Sequence, residues 1–400
     1  MADAVVRLHR PGVLNLTALP PLSLYIHLPW CLKKCPYCDF NSHEWGAAAG
    51  QGGEPPYQRY LDALLADLAA SLPQIWGRAV HSVFIGGGTP SLFPPDAIDR
   101  LLSGVRALVK LEPGAEITLE ANPGTFETDR FKGFRQAGVT RLSVGVQSFD
   151  DRFLHALGRV HSADQARAAV AEAAQAFDTF NIDLMYALPG QTLDDLDRDL
   201  DTALGFAPPH LSVYHLTLEP NTYFAKHPPE VPDDDTAYAM LDRITARTTG
   251  AGMARYEVSA YARPDHGCWH NLNYWRFGDY LGIGAGAHGK LSYAHRVVRQ
   301  VRWRDPQAYM AKALSGEPMA SETEVAAADL PFEYMLNALR LRGGFELARF
   351  AEDTGLPTTV LQPALQTAER KGWITQSGGR VVPTEQGFDF LSDLQALFLP

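Results

Sequence analysis

An α/β fold whose parallel sheet curls towards a barrel is what this chain of 400 residues predicts, and three observations predict it. Short runs rich in β-branched and aromatic residues recur through the first half. Each is followed by a stretch with helical periodicity, and polar or glycine-rich residues gather where each run ends. The runs are LSLYIHLP from Leu22, HSVFIGGG from His81, EITLEANP from Glu116, RLSVGVQS from Arg141, FNIDLMYALP from Phe180 and HLSVYHLTLEP from His210. They are mostly apolar on both faces, as buried parallel strands are. Between them YQRYLDALLADLAASL, PDAIDRLLSGVRALV, SADQARAAVAEAAQAF and TLDDLDRDLDTALGF space their apolar residues at helical intervals. Repeated strand-helix units imply a parallel sheet, doubly wound or closed towards a barrel. Polar clusters at Cys31 onward, Gly86 to Ser91, Glu120 to Pro123, Gln147 and Asp183 favour the barrel, because its carboxyl-end rim is where chemistry collects.

The remaining segments divide by pattern. Residues 1–21 read as an N-terminal extension, 22–222 as the core barrel, 223–328 as a less regular connecting region, and 329–400 as a C-terminal domain. Within the barrel, EWGAAAGQGGEPP (Glu44 to Pro56) is low in complexity and reads as a flexible loop. The tail reads helix, turn, helix, then two short strands about Gly378-Gly379, a winged-helix-like shape. Such a shape suggests DNA binding, yet from Glu346 on Asp and Glu outnumber Lys and Arg. A packing or substrate-lid role is expected instead.

Composition narrows the function classes. The hydrophobic fraction of 46% and charged fraction of 20% are those of a soluble globular protein. A net charge of -11 opposes a broad nucleic-acid footprint, which needs a basic face, so no nucleic-acid partner is expected. No apolar run approaches the roughly 20 residues that span a bilayer. Pro11, Pro20 and Pro21 interrupt any apolar leader, so no signal peptide is expected and the compartment read from the sequence is the cytoplasm.

Three of the four cysteines fall within CLKKCPYC, Cys31 to Cys38. Cys35-Pro36-Tyr37-Cys38 alone is a dithiol redox pattern, but that leaves Cys31 unexplained. Zinc needs four ligands, which His27, Asp39 or His43 could complete, though structural zinc usually pairs two knuckles and the chain holds no second one. The third reading, an iron-sulfur cluster with three thiolates on three irons and one iron open, uses every cysteine of the group.

YIHLPWCLKKCPYC resembles the CxxxCxxC signature of the radical S-adenosylmethionine (radical SAM) superfamily. The resemblance implies a partial (β/α)6 barrel of the TIM type, carrying here a C-terminal α+β extension and the winged-helix-like tail. It also implies a [4Fe-4S] cluster on Cys31, Cys35 and Cys38, with S-adenosyl-L-methionine on the fourth iron. Reduction would cleave the sulfonium to methionine and a 5'-deoxyadenosyl radical. YIHLPWC, GGGTPS, EANPG, SVGVQSF, GRVH, NIDLMYALPGQT and HNLNYWRFGDYLGIGAGAHG together are similar to the oxygen-independent coproporphyrinogen III oxidase family and its heme chaperone branch, from about Leu22 to the C-terminus. By that resemblance Gly87, Gly88 and Thr89 cradle the amino-acid part of S-adenosylmethionine, and Tyr25 and Tyr37 touch it. Gln147, Arg159 and Asp183 match positions lining the same region, while Glu120, a carboxylate ending an apolar strand, needs partners that an amine or ribose hydroxyls would supply, as a helix N-terminus or an arginine also would. Plain packing could explain Tyr37 too, and Asp183 could serve as a structural acceptor.

His270, Asn271, Tyr274 and Trp275 form the pattern HNxxYW. Alone, such an aromatic cluster is more often core than cofactor box. In the resembled branch it marks heme binding, through a histidine on iron and aromatics along the porphyrin face. Cys268 reads as a small buried residue. Two functions then compete. One is a heme chaperone delivering heme to apo-hemoproteins, respiratory ones above all, with at most peripheral membrane contact. The other is an oxidase that decarboxylates coproporphyrinogen III; a heme-opening radical methyltransferase is a third, weaker option. Phe40 where the oxidases carry an extra cysteine, only 24 residues before Tyr25, and HNxxYW all favour the chaperone.

Overall fold

A computed structural model describes residues 14–45, 55–125 and 129–400. Most of the expected N-terminal extension and of the low-complexity loop, residues 1–13 and 46–54, therefore lies outside the described residues.

Six strands alternate with helices as expected: β1 (Leu22–Leu28), β2 (Ala79–Gly87), β3 (Lys110–Ala121), β4 (Arg141–Gln147), β5 (Thr179–Tyr186) and β6 (His210–His215). They pair in parallel in the order 1-2-3-4-5-6. An order without reversal is barrel winding, since a doubly wound sheet needs a switch point. The crossovers are α1 (Tyr57–Ile75), α2 (Pro95–Leu108), α3 (Arg130–Gln136), α4 (Asp151–Ala156) with α5 (Ala163–Ala176), and α6 (Leu193–Gly205). Ser162 and Thr192 start α5 and α6 with reciprocal capping boxes to Gln165 and Asp195. Ile26, Val83, Ile85, Leu119, Leu142, Val144, Ile182 and Leu211, drawn from all six strands, are completely buried in the main core.

The barrel does not close. Along the outer edge of β1 runs β9 (Asp279–Ile283), parallel and in register from Leu22↔Asp279 to Ile26↔Ile283. Beyond β6 lie the antiparallel β8 (Ala260–Ala262) and β7 (Ala254–Arg255). On the other side β10 (His288–Tyr293), β11 (Arg296–Arg302) and β12 (Met319–Glu324) complete one sheet of 12 strands. The connecting region thus extends the barrel sheet at both edges. Helices α7 (Asp234–Gly250), α8 (Trp269–Trp275) and α9 (Pro306–Leu314) lie within the same stretch.

Buried ion pairs tie the extension to the barrel through Arg302 and Asp67 and brace it internally through Lys290 and Asp279. Arg302 Nε donates to Asp67 of α1 at 3.0 Å, and Lys290 Nζ to Asp279 Oδ1 at 3.0 Å, all four side chains being out of solvent. Each charge also has further partners, Tyr309 for Asp67 and Arg78 and Ser292 for Asp279. Such saturation is what makes a buried charge tolerable.

The tail has its own core, with Phe350, Leu361, Leu365 and Val381 fully buried and Leu14 and Leu16 of the N-terminal segment packed in. It comprises α10 (Leu330–Ala338), β13 (Phe345–Glu346), α11 (Leu347–Thr354), α12 (Gln362–Arg370) and the hairpin β14 (Ile374–Ser377) and β15 (Arg380–Pro383). Gly378 and Gly379 turn the hairpin with φ of 59° and 85°, the left-handed pair that a two-residue turn needs. Short helices α13 (Glu385–Asp389) and α14 (Leu391–Ala396) end the chain. Among the described residues no helix is long and apolar enough to cross a membrane.

Candidate cluster and cofactor site

The cysteine loop leaves the end of β1 at the carboxyl-end rim of the barrel. A short parallel pair, Trp30–Cys31 with His43–Glu44, closes the loop at its base. Its return arm is clamped from below. His27 Nε2 donates to the Asn41 carbonyl at 2.9 Å, and Asn41 Nδ2 donates to the Ala285 and Arg304 carbonyls, also at 2.9 Å. Burial holds His27 down at about 4, so its ring is neutral and Nδ1 accepts from the Tyr25 hydroxyl at 3.0 Å. Lys34 reaches across to the Phe40 and Ser42 carbonyls. A loop tied at this many points presents its thiols in one arrangement.

Cys31, Cys35 and Cys38 line a cavity of about 460 Å³ together with Tyr37, Gly87, Gly88, Thr89, Glu120, Gln147, Arg159 and Asp183. The structure thus brings together every residue that the sequence linked to the cluster and its cofactor except Tyr25, which stands behind the wall against His27 and Phe84. Thr89 Oγ1 approaches the Cys31 sulfur at 3.4 Å, Arg159 Nη1 the Cys35 sulfur at 3.5 Å, and Ser42 Oγ the Cys38 sulfur at 3.6 Å. All three cysteines are free thiols. Among the described residues no group of three His, Cys, Asp or Glu converges as the ligands of a single metal ion must. Thiolates that each hold a different iron of a cluster need not converge, and their partners here are a hydroxyl, a guanidinium and a hydroxyl, the donors that tune cluster sulfurs.

The GGGTP segment serves the loop as well as the cavity. Gly87 has φ of 117° and a Cβ there would fall 2.6 Å from the His27 ring; at Gly88 it would fall 2.7 Å from the Trp30 carbonyl oxygen. The Gly88 and Thr89 N–H groups donate to Leu28 and Trp30, welding the segment to the strand that carries Cys31. Gly87→Ala is therefore expected to cost about 1–3 kcal/mol. It is also expected to lower iron content after reconstitution, read by denaturant titration and iron analysis of the same preparation.

Glu120 and Asp183 line the same cavity as the thiols. Glu120 receives the Gly87 N–H at 3.1 Å, and burial, helped by Asp183, pushes it up to about 7. Asp183 accepts from Asn181 at 2.7 Å and Ser143 at 3.0 Å, and burial raises it too. Glu120 has no cation against it among the described residues. A carboxylate held this way is a ready acceptor for an ammonium group or vicinal hydroxyls. Gln147, at the end of β4, sits at φ of 69°, a strained conformation that aims it where a regular strand would not. Arg159 is anchored by its second arm to the Gly145 carbonyl at 2.8 Å. Tyr37 both lines the cavity and packs on Phe224, ring centroids 6.5 Å apart. The donor set of three thiols, backbone N–H groups and paired carboxylates fits a [4Fe-4S] cluster with a chelated amino acid.

Sequence reasoning missed Ser143, Gly145 and Met185, which also line the cavity. Their signal was there: Ser143, Gly145, Gln147 and Asn181, Asp183, Met185 alternate along neighbouring strands, in register at Ser143↔Asn181 and Gly145↔Asp183.

The HNxxYW residues lie elsewhere. They form α8, which packs beside β1 and β2, and none of them lines the thiol cavity. His270 is buried 5.1 Å from the Phe84 ring, with Nδ1 3.4 Å from Ser82 Oγ, and burial lowers it to about 3. Asn271, Tyr274 and Trp275 are half-buried; Tyr274 stacks obliquely on Tyr280 and Arg340 lies 4.2 Å over Trp275. Cys268 is buried, and its thiol is pushed up to about 12.

The radical SAM superfamily model matches residues 25–203 and the HemN C-terminal domain model residues 325–390. Heme chaperone HemW of Escherichia coli is 47% identical over 383 residues, covering 95% of this chain and 99% of its own. HemW of Haemophilus influenzae is 46% identical over 387 residues, covering 95% and 98%; that of Bacillus subtilis is 33% identical over 373, covering 91% and 96%. In architecture the chain matches coproporphyrinogen III oxidase (HemN) from Escherichia coli, a radical SAM enzyme, with TM-score 0.80 and 23% identity over 95% of this chain and 90% of that one. That likeness establishes the fold. Similarity to the HemW proteins is one of sequence as well, 47% and 46% identity over 95% of the chain, and the chain belongs to the HemW family of the radical SAM superfamily.

Proposed function

We propose that this protein is a heme chaperone, which binds heme and passes it to apo-hemoproteins. The carrying observation is 47% identity to a HemW protein over nearly the whole of both chains. Cys31, Cys35 and Cys38 hold the [4Fe-4S] cluster, and Gly87, Gly88, Thr89, Glu120, Gln147, Arg159 and Asp183 bind S-adenosylmethionine beside it. Bound and reduced, that pair supplies a single electron at a sulfonium centre. The chain's own residues hold the cofactor's amine on Glu120, keep the thiolate of Cys35 under Arg159, and narrow the cavity mouth with Phe40. Phe40 is 62% exposed at that mouth, where the oxidases it resembles carry a further cysteine; an aromatic there offers no thiol for their chemistry.

The clients we infer are respiratory hemoproteins and the compartment the cytoplasm, with membrane contact, where it occurs, peripheral. What supports the reading is the naming of the HemW relatives as heme chaperones and, for the compartment, three cysteines crowded into one group rather than spread as a disulfide framework. The test uses anaerobically reconstituted protein. Added hemin is expected to give a shifted Soret band and to pass to an apo-cytochrome, while coproporphyrinogen III with S-adenosylmethionine and reductant yields no protoporphyrinogen. Decarboxylated product at enzyme-like rates would refute the chaperone reading.

A further inference from the structure

At the opposite end of the barrel lies a second cavity, of about 750 Å³, between α8 and the C-terminal domain. It belongs to the amino ends of the strands: His81 lines it from the start of β2, six residues or about 20 Å along the strand from Gly87. One wall is a single face of α8, where Trp269, Leu272, Asn273 and Arg276 recur at three- and four-residue spacing. Tyr334 of α10 and Phe345 of β13 form part of the opposite wall. Its volume falls within the ~300–1,000 Å³ of pockets that enclose organic ligands. Trp269, 50% exposed, is a large aromatic left open beside it.

Two further features point to what it takes. His81 Nδ1 lies 2.6 Å from Glu112 Oε2. A carboxylate only accepts, so Nδ1 carries a proton and Nε2 is left as the ring's other nitrogen to meet a metal, which is how a metal-binding histidine is oriented. The cavity is also cation-rich in an acidic protein. Arg276, Arg349 and Arg380 line it against the single carboxylate of Glu346. Arg380 pairs with Glu346 at 2.7 Å and Arg349 with Glu352 and Asp353, whereas Arg276 has no ion-pair partner among the described residues.

We propose that heme occupies this second cavity, with His81 as an axial donor to its iron and Arg276 on its propionates. The inference rests on the heme-chaperone reading and gives that reading a place. A flat apolar macrocycle suits the aromatic walls, its metal the imidazole, and its two carboxylates the guanidinium. His270, inside the barrel against Phe84 and Ser82, is then a positioning residue that seats α8 from behind.

The test is hemin titration of the full-length protein, with circular dichroism and the cluster spectrum as controls on folding. His81→Ala is expected to move the Soret and visible bands away from histidine ligation, Glu112→Gln to weaken binding at least about tenfold, and His270→Ala to weaken it with band positions unchanged. Arg276→Glu is expected to weaken binding of hemin but not of its dimethyl ester, a contrast that misfolding would not give. Wild-type protein that binds no hemin would sink the chaperone reading itself. Wild-type binding with unaltered bands in His81→Ala, or with equal hemin and ester affinities in wild type and Arg276→Glu, would leave that reading intact and overturn the assignment of the cavity.

Discussion

Anaerobically reconstituted Cys35→Ala protein is expected to hold almost no iron or sulfide, where the wild type holds about four of each per chain. Cys31→Ala and Cys38→Ala should match it. A cluster gripped at three corners has no spare ligand, and among the described residues no His, Asp or Glu joins the thiols in a metal-binding group. The loop itself should survive, because Asn41, Lys34 and the strand pair Trp30–Cys31 with His43–Glu44 hold it by contacts that do not use sulfur. Loss of the brown chromophore with an unchanged far-ultraviolet spectrum is therefore the expected pair of observations. The competing chemistries separate cleanly here. A dithiol site needs only Cys35 and Cys38, so Cys31→Ala would leave it working; a zinc site would give zinc and no sulfide. Either result would end the cluster assignment, and with it the role of the cavity that faces it.

How far the sequence led differs from element to element, for physical reasons. The six barrel strands were legible because a parallel strand buried on both faces is apolar almost throughout, as LSLYIHL is between Leu22 and Leu28. The cysteines were legible as one group because three of the four fall within eight residues, while spacing left dithiol, zinc and cluster chemistry open and the resemblance chose among them. Strands β7 to β12 were not. β7 and β8 have only 2 and 3 residues, too few for alternation to show, and β9 pairs with β1 across more than half the chain. Such pairings are set by tertiary contacts, here reinforced by Lys290–Asp279 and Arg302–Asp67, and not by local preference. Glycines in IGGGTP suggested a ligand cradle, and the structure adds a second reason, that His27 and Trp30 leave no room for a Cβ. HNxxYW marked a helix but not its orientation. Periodicity says which residues share a face; only packing decides that His270 turns inward to Phe84 while Trp269 and Arg276 turn to the second cavity.

Glu120→Gln should move stability and cofactor affinity in opposite directions. In the protein without its cofactor, burial and the neighbouring Asp183 raise Glu120 from 4.5 to about 7. A folded-state value above the unfolded one means that the group favours folding fully below about 4.5 and that this advantage is lost as pH rises through about 7. At pH 8 the ionised carboxylate then costs the folded state of order 2–3 kcal/mol, once water in the open cavity is allowed for. Glutamine keeps the acceptor for the Gly87 N–H and removes the charge, so the variant should melt a few degrees higher at pH 8 and no differently at pH 4.5. The same charge is what an ammonium group of S-adenosylmethionine requires. Wild-type affinity should rise between pH 6 and 8 as Glu120 ionises, and in the variant it should fall by about tenfold or more and lose that pH dependence. Calorimetric titration with S-adenosylmethionine at several pH values, alongside thermal melts of the same samples, measures both. A variant that bound as tightly as wild type, or that melted lower at pH 8, would mean that the carboxylate is a structural acceptor and that the amine is held elsewhere. Opposite shifts would identify Glu120 as a group whose cost in the empty cavity is offset only when the cation arrives, which is the expected behaviour of a binding residue kept in place against the preference of the fold.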